Sequence, residues 1–90
     1  MNEEQEVLEV RRRHELKVIM PYFEPLHGRV KRFEVRYNDR NFKVGDSVVL
    51  REWIQGVGYT GRSITQDITY VLDDFHDGLQ GGYVVLGLSS

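Results

Sequence analysis

Lys31, Glu34, Arg36, Asn38 and Arg40 share one short stretch, KRFEVRYNDRNFKVGD, residues 31–46. Arginine presents a planar fork of donors that matches phosphate oxygens, and lysine a compact cation, so this set has the chemistry to grip a nucleic-acid backbone. Arg51 and Arg62 extend the set downstream, and Tyr59 supplies a ring on which an unpaired base can stack. Tyr37 and Trp53 add to that ring surface if they are exposed rather than part of the core. The same stretch holds an acid–base pair, because Lys31 lies three residues from Glu34 and each can tune the other's proton. A small hydrolase acting on a modified nucleoside or nucleotide would use that pair, although no motif supplies its nucleophile. A structural role competes with both, in which Glu34–Arg36 and Arg51–Glu52 are exposed ion pairs worth at most about 1 kcal/mol.

Other chemistries are poorly served. There is no cysteine, which removes disulfides, thiolate zinc sites and cysteine nucleophiles together and fits a reducing compartment, so a cytoplasmic protein is expected. His14, His27 and His76 are scattered without the spacing of a metal site, and no metal or cofactor is expected. DDFHDG, residues 73–78, has Phe75 and Val84 where a calcium loop needs oxygen ligands, and is expected to be an exposed acidic loop. GVGYTG, residues 56–61, spells G-x-G-x-x-G, but the RSITQDITYVL that follows is β-branched and alternating. A dinucleotide fingerprint must open a helix within a βαβ unit, so here the glycines are expected to connect two strands, with Tyr59 projecting.

The net charge of −2 conceals a strong asymmetry. Residues 1–10 hold four acids and no base, residues 11–43 hold ten Lys or Arg against four acids, residues 44–62 balance, and residues 63–90 again hold four acids and no base. A cationic segment of that kind acts on phosphates within about 8–10 Å whatever the far side carries. The apolar runs are far shorter than the roughly 20 residues of a bilayer span, and the acidic start lacks the layout of a signal peptide, so no membrane association is expected.

Ninety residues make one domain, and its strands must position these groups. Residues 1–12 read as an extension, frayed or weakly helical, and residues 13–90 as the domain. HELKVIM alternates through Leu16, Val18 and Met20, PYFEPLHG gives a short helix over residues 21–27, and KRFEVRYN puts Phe33, Val35 and Tyr37 on one face against Arg32, Glu34, Arg36 and Asn38 on the other. SVVLREWI is a β-branched strand that turns Arg51 and Glu52 outward, SITQDITYVL alternates through Ile64, Ile68, Tyr70 and Leu72, and YVVLGLS closes the domain. Five strands and one short helix in so small a chain favour a partly closed barrel. Its expected interior is Val18, Phe33, Val35, Val48, Leu50, Ile68, Leu72, Val84 and Leu86, with the helix capping one opening.

HELKVI, KRFEVRYNDRNFKVGDSVVLREW, GYTGR, ITYVLDDF and GYVVLG resemble a small bacterial and phage family of unknown function related to the ASCH domain, from residue 13 to about residue 88. The resemblance implies a mainly β (α+β) fold, a PUA-like/ASCH mixed β-barrel of five to six strands with one or two short helices. It implies an RNA-binding module whose cleft lies beside the short helix and is lined by a G-x-K-x-x-E-x-R pattern. Gly28, Lys31, Glu34 and Arg36 match that pattern, with one extra residue between glycine and lysine. Some ASCH relatives are amidohydrolases of acetylated cytidine with a K-x-x-T motif, and Glu34 stands here in place of that threonine. The partner so implied is RNA, with single-stranded DNA or a nucleotide as variants, gripped by Lys31, Glu34, Arg36, Asn38, Arg40, Arg51, Tyr59 and Arg62. A monomer is the default.

Overall fold

The computed structural model describes residues 11–73 and 77–89. The expected extension, apart from Arg11 and Arg12, and residues 74–76 of the acidic loop therefore fall outside the described residues. The elements are β1 (Arg13–Ile19), α1 (Phe23–His27), β2 (Phe33–Tyr37), β3 (Ser47–Ile54), β4 (Gly58–Leu72) and β5 (Tyr83–Leu88). Five strands and one short helix were expected, and these are they. GVGYTG does not open a helix, but only its first two residues belong to the β3–β4 turn, where Gly56 takes positive φ; residues 58–61 already form the start of β4, so the expected connection is shorter than read.

The strands form one mixed sheet in the order β1-β3-β4-β5-β2, with β1 parallel to β3 and the remaining pairs antiparallel. β4 is long enough to serve two ladders, pairing through residues 58–67 with β3 and through residues 68–72 with β5. A bulge between Ile68 and Tyr70 bends it where it changes partner. This bend brings the two edge strands, β1 and β2, toward each other. The ladder does not close into the expected barrel: β1 and β2 remain unpaired edges, and guanidinium groups bridge the seam between them. Arg36 Nη2 donates to the Lys17 carbonyl at 2.8 Å and Arg40 Nη1 to the Glu15 carbonyl at 2.9 Å.

Leu16, Val18, Phe23, Leu26, Phe42, Val48, Leu50, Ile68, Val84, Leu86 and Leu88 form one buried cluster inside the curled sheet, with Ile64 and Val71 against it. A five-residue helix has no stability of its own. Phe23 and Leu26, three apart and both fully buried, hold α1 over the core. Among the described residues no helix is long and apolar enough to cross a membrane, which says nothing of β-barrels.

Two expected orientations are reversed. In β2 the period is as read but the phase is inverted: Phe33 and Val35 are 47% and 48% exposed, whereas Glu34 is 6% exposed. The partner strand decides this, since Glu34 lies opposite Leu86 and Arg36 opposite Val84, both buried, while Phe33, Val35 and Tyr37 lie opposite Gly87, Val85 and Tyr83. In β3, Arg51 does turn outward, but Glu52 is buried next to Val18 of β1. Its carboxylate is satisfied there by Thr60 Oγ1 at 2.8 Å and by Arg62 Nη1 at 3.5 Å. Smaller departures follow from local geometry. Met20 lies past the end of β1 and is exposed, the β4 bulge turns Tyr70 outward, and Leu72 is only partly buried.

His14 is satisfied internally rather than exposed. Its Nε2 donates to Asp46 Oδ2 at 2.9 Å, and Asp46 also accepts from the amides of Arg12 at 3.0 Å and Lys43 at 3.1 Å. Burial pushes the Asp46 carboxyl up, but these hydrogen bonds, led by that from His14, outweigh it and hold the group below the usual aspartate value. Because the folded value lies below the unfolded one of about 3.9, the group's contribution is present above that pH and is lost as pH falls through the folded value. Asp46→Asn is expected to cost about 1–3 kcal/mol at neutral pH, a deficit that narrows as pH falls through and below the unfolded value of about 3.9. Urea midpoints of the two proteins from neutral pH to below that value check it, and a deficit independent of pH would refute it.

Candidate functional site

The seam between β1 and β2 opens into a cleft of about 390 Å³. Lys17, Val18 and Ile19 of β1 form one wall, Glu34, Val35, Arg36 and Tyr37 of β2 the other, and Tyr22, Lys31 and Tyr83 complete the lining. The inverted phase of β2 is what aims Glu34 into this space. Its buried carboxylate receives Lys31 Nζ at 3.1 Å on one oxygen and Arg36 Nε at 3.2 Å on the other. Arg36 is thereby fixed between Glu34 and the Lys17 carbonyl.

This arrangement leaves hydrogen-bonding capacity unused. An ammonium carries three donors and a guanidinium five. Lys31 has one protein acceptor and Arg36 places its Nε and Nη2 groups, so two ammonium hydrogens and the Nη1 amine have no acceptor among the described residues. Lys17 Nζ stands 4.2 Å from the centre of the Trp53 ring. Three cations against one carboxylate give the lining an excess of two positive charges, which suits an anionic ligand.

The other residues expected at the site stand elsewhere and are committed to the scaffold. Asn38 accepts from the Phe42 amide at 3.0 Å and closes a turn. Arg40 holds the seam through Glu15 and lies 3.8 Å from Asp39. On the outer face of β3 and β4, Arg51 stacks on Tyr59 at 3.8 Å and reaches Glu15 at 3.5 Å. Arg62 crosses from β4 to α1, meeting Glu24 at 2.6 Å with its guanidinium 5.2 Å from the centre of the Phe23 ring. The hydrogen bond and charge of Arg62 hold the Glu24 carboxyl below its usual range. The expected set therefore divides: Lys31, Glu34 and Arg36 meet in the cleft, and Asn38, Arg40, Arg51, Tyr59 and Arg62 do not.

The limits of the fold coincide with a known sequence unit. Residues 13–88, from the first residue of β1 to the last of β5, match the family described as Domain of unknown function (DUF3850). The chain belongs to this family. It is also similar to an "Uncharacterized 12.9 kDa protein in GpA 3'region" of Escherichia phage P2, 45% identical over 60 residues, which are 67% of this chain and 54% of the phage protein. The chain thus spans about half the length of the curated relative it matches.

Within this DUF3850 domain, sequence reading overlooks Lys17, Ile19, Tyr22 and Tyr83 as cleft residues. Lys17 and Ile19 enter only because β1 is an edge strand, and Tyr83 only because β5 sets it opposite Tyr37, at a ring separation of 5.5 Å. Both facts are long-range pairings, which no local pattern carries. Tyr22 does have a local signal, an aromatic immediately before the short helix.

Proposed function

We propose that this domain binds single-stranded RNA by seating one nucleotide in the Lys31–Glu34–Arg36 cleft. The observation that carries the reading is the buried carboxylate that orients two cations while leaving donors on both unpaired. Such donors suit phosphate oxygens, and Tyr22, Tyr37 and Tyr83 around the same space suit a base. A volume of about 390 Å³ lies near the lower end of small-ligand sites, enough for a nucleotide and too small for a duplex. The curled five-stranded sheet with a short helix over its core is in keeping with a PUA-like pseudo-barrel of the ASCH type, opened at one seam.

The central segment's many cations overstate the grip, because Arg40, Arg51 and Arg62 lie outside the cleft lining and are tied to carbonyls and carboxylates elsewhere. Lys17, Lys31 and Arg36 remain, within reach of the seated nucleotide's phosphate and the phosphates on either side of it, so about three phosphates are neutralised and log affinity for a single strand should fall against log salt with a slope of roughly −2. Anisotropy titrations of a labelled uridylate octamer between about 50 and 200 mM salt read that slope, and no binding at the low end rejects the proposal.

One observation favours a second reading. Lys31 and Glu34 face each other at 3.1 Å in the cleft, as an amide hydrolase acting on a modified nucleoside would require. Turnover of an N-acetylated cytidine, absent for a binding module, separates the two.

A further inference from the structure

Over residues 68–72 of β4 and the paired strands β5 and β2, the outer face is bare of charge and rich in rings. Cross-strand register puts Phe33, Val35 and Tyr37 of β2, Tyr83, Val85 and Gly87 of β5, and Tyr70 and Leu72 of β4 on one side of the sheet. Tyr37 and Tyr70 are 57% and 62% exposed, and Phe33 and Tyr83 are substantially exposed as well. A contiguous apolar face of this kind marks an interaction site more often than chance exposure does. Gly87, between Phe33 and Tyr70, has no side chain, and a Cβ there would come within 3.3 Å of the Tyr70 Cβ. Phe33 and Tyr70 are two strands apart, about 10 Å across the sheet. Thr69 Oγ1 and Tyr70 Cβ already close over Gly87, so the Phe33 and Tyr70 rings stand as two separate exposed surfaces on either side of it, each open to a stacked base.

We infer that this face is a stacking platform for the unpaired bases of single-stranded RNA leaving the cleft. The inference rests on the cleft reading above and extends it from one nucleotide to several. Continuity is the first reason. Val35, Tyr37 and Tyr83 line the cleft and belong to the outer face, so the cleft wraps around the free edge of β2 and opens onto the rings. Charge is the second. Arg29, Lys31 and Arg32 flank the Phe33 end of the face, with Lys31 Nζ 5.2 Å from the centre of the Phe33 ring, whereas at the other end Asp39 is offset by Arg40 at 3.8 Å and Asp73 follows Leu72. The Arg29–Lys31–Arg32 cluster therefore draws a phosphate backbone leaving the cleft along the face toward Phe33 and Tyr70. Rings with a basic flank and no hydrogen-bonding code bind bases of any sequence.

The test uses the full chain and two probes, a uridylate dimer followed by chemical-shift titration and a labelled uridylate octamer followed by anisotropy. The variant is Phe33→Ser with Tyr70→Ser, both at exposed positions outside the cleft lining. The variant should hold the dimer as wild type does and lose at least about tenfold in affinity for the octamer, equivalent to about 1.4 kcal/mol. Equal loss for dimer and octamer, or no loss for either, overturns the platform while leaving the cleft reading standing. A wild-type protein that binds neither probe overturns the cleft reading and the platform with it. Sedimentation adds a third way to fail: a wild-type dimer that the double variant abolishes assigns the face to a second copy of the chain instead.

Discussion

Phe23→Ala should lower the melting temperature by roughly 15 °C or more, the largest effect of any single substitution considered for this domain. Phe23 is fully buried, and truncating a buried phenylalanine costs about 3–5 kcal/mol. Domains of this size have only about 5–15 kcal/mol in total, so the loss consumes a large share. The position makes it worse. α1 is five residues long and relies on Phe23 and Leu26 to stay on the core, and the Arg62 guanidinium rests over the Phe23 ring. The exposed Glu24–Arg62 pair that remains is too weakly held to replace that anchor. Phe33→Ala is the informative companion. Alternation alone assigns Phe33 to the core and forecasts a comparable loss, but the residue is nearly half exposed, and its truncation should cost under about 1 kcal/mol. Thermal melts followed by circular dichroism compare the two. A larger loss for Phe33→Ala than for Phe23→Ala would overturn the observed phase of β2.

That contrast shows which information lies along the chain and which lies between strands. Periodicity is local, so the strands and the short helix are legible, except that β4 begins at Gly58, ahead of the SITQDITYVL alternation, because Gly58 and Gly61 carry no side-chain pattern. Phase is not local when both faces of a strand carry plausible residues. Phe33, Val35 and Tyr37 read as interior until β5 is paired beside them, and its Val84 and Leu86 leave only Glu34 and Arg36 for the inner face. The same holds for charge. The cationic surplus of residues 11–43 is plain in the sequence, yet Arg36 and Arg40 bond carbonyls 19 and 25 residues away. Arg62 meets a carboxylate 38 residues away. Lys31, Glu34 and Arg36 were recoverable as a group because their contacts are three and two residues apart. Barrel closure was not recoverable, since it depends on whether two edge strands far apart in sequence meet by backbone or by side chain.

Glu34→Gln should separate binding from catalysis, because glutamine keeps the shape of the carboxylate and removes its charge and its capacity as a base. If the cleft binds RNA, the lining goes from an excess of two positive charges to three, and affinity for the uridylate octamer should rise a few-fold at about 50 mM salt, with the gain shrinking as salt screens it. The rise has a ceiling. Glutamine offers one acceptor oxygen where glutamate offers two, so either Lys31 or Arg36 loses its partner and some of its orientation. If the pair is catalytic, turnover of an N-acetylated cytidine should instead fall by about 10²–10⁴, since the proton it must accept has nowhere to go. Both assays need the variant folded, which the same melts establish. A folded variant that loses more than about tenfold in octamer affinity would contradict the electrostatic account, because it would mean that what the Glu34 carboxylate does as an acceptor, for Lys31 and Arg36 or for the ligand itself, outweighs the charge it subtracts.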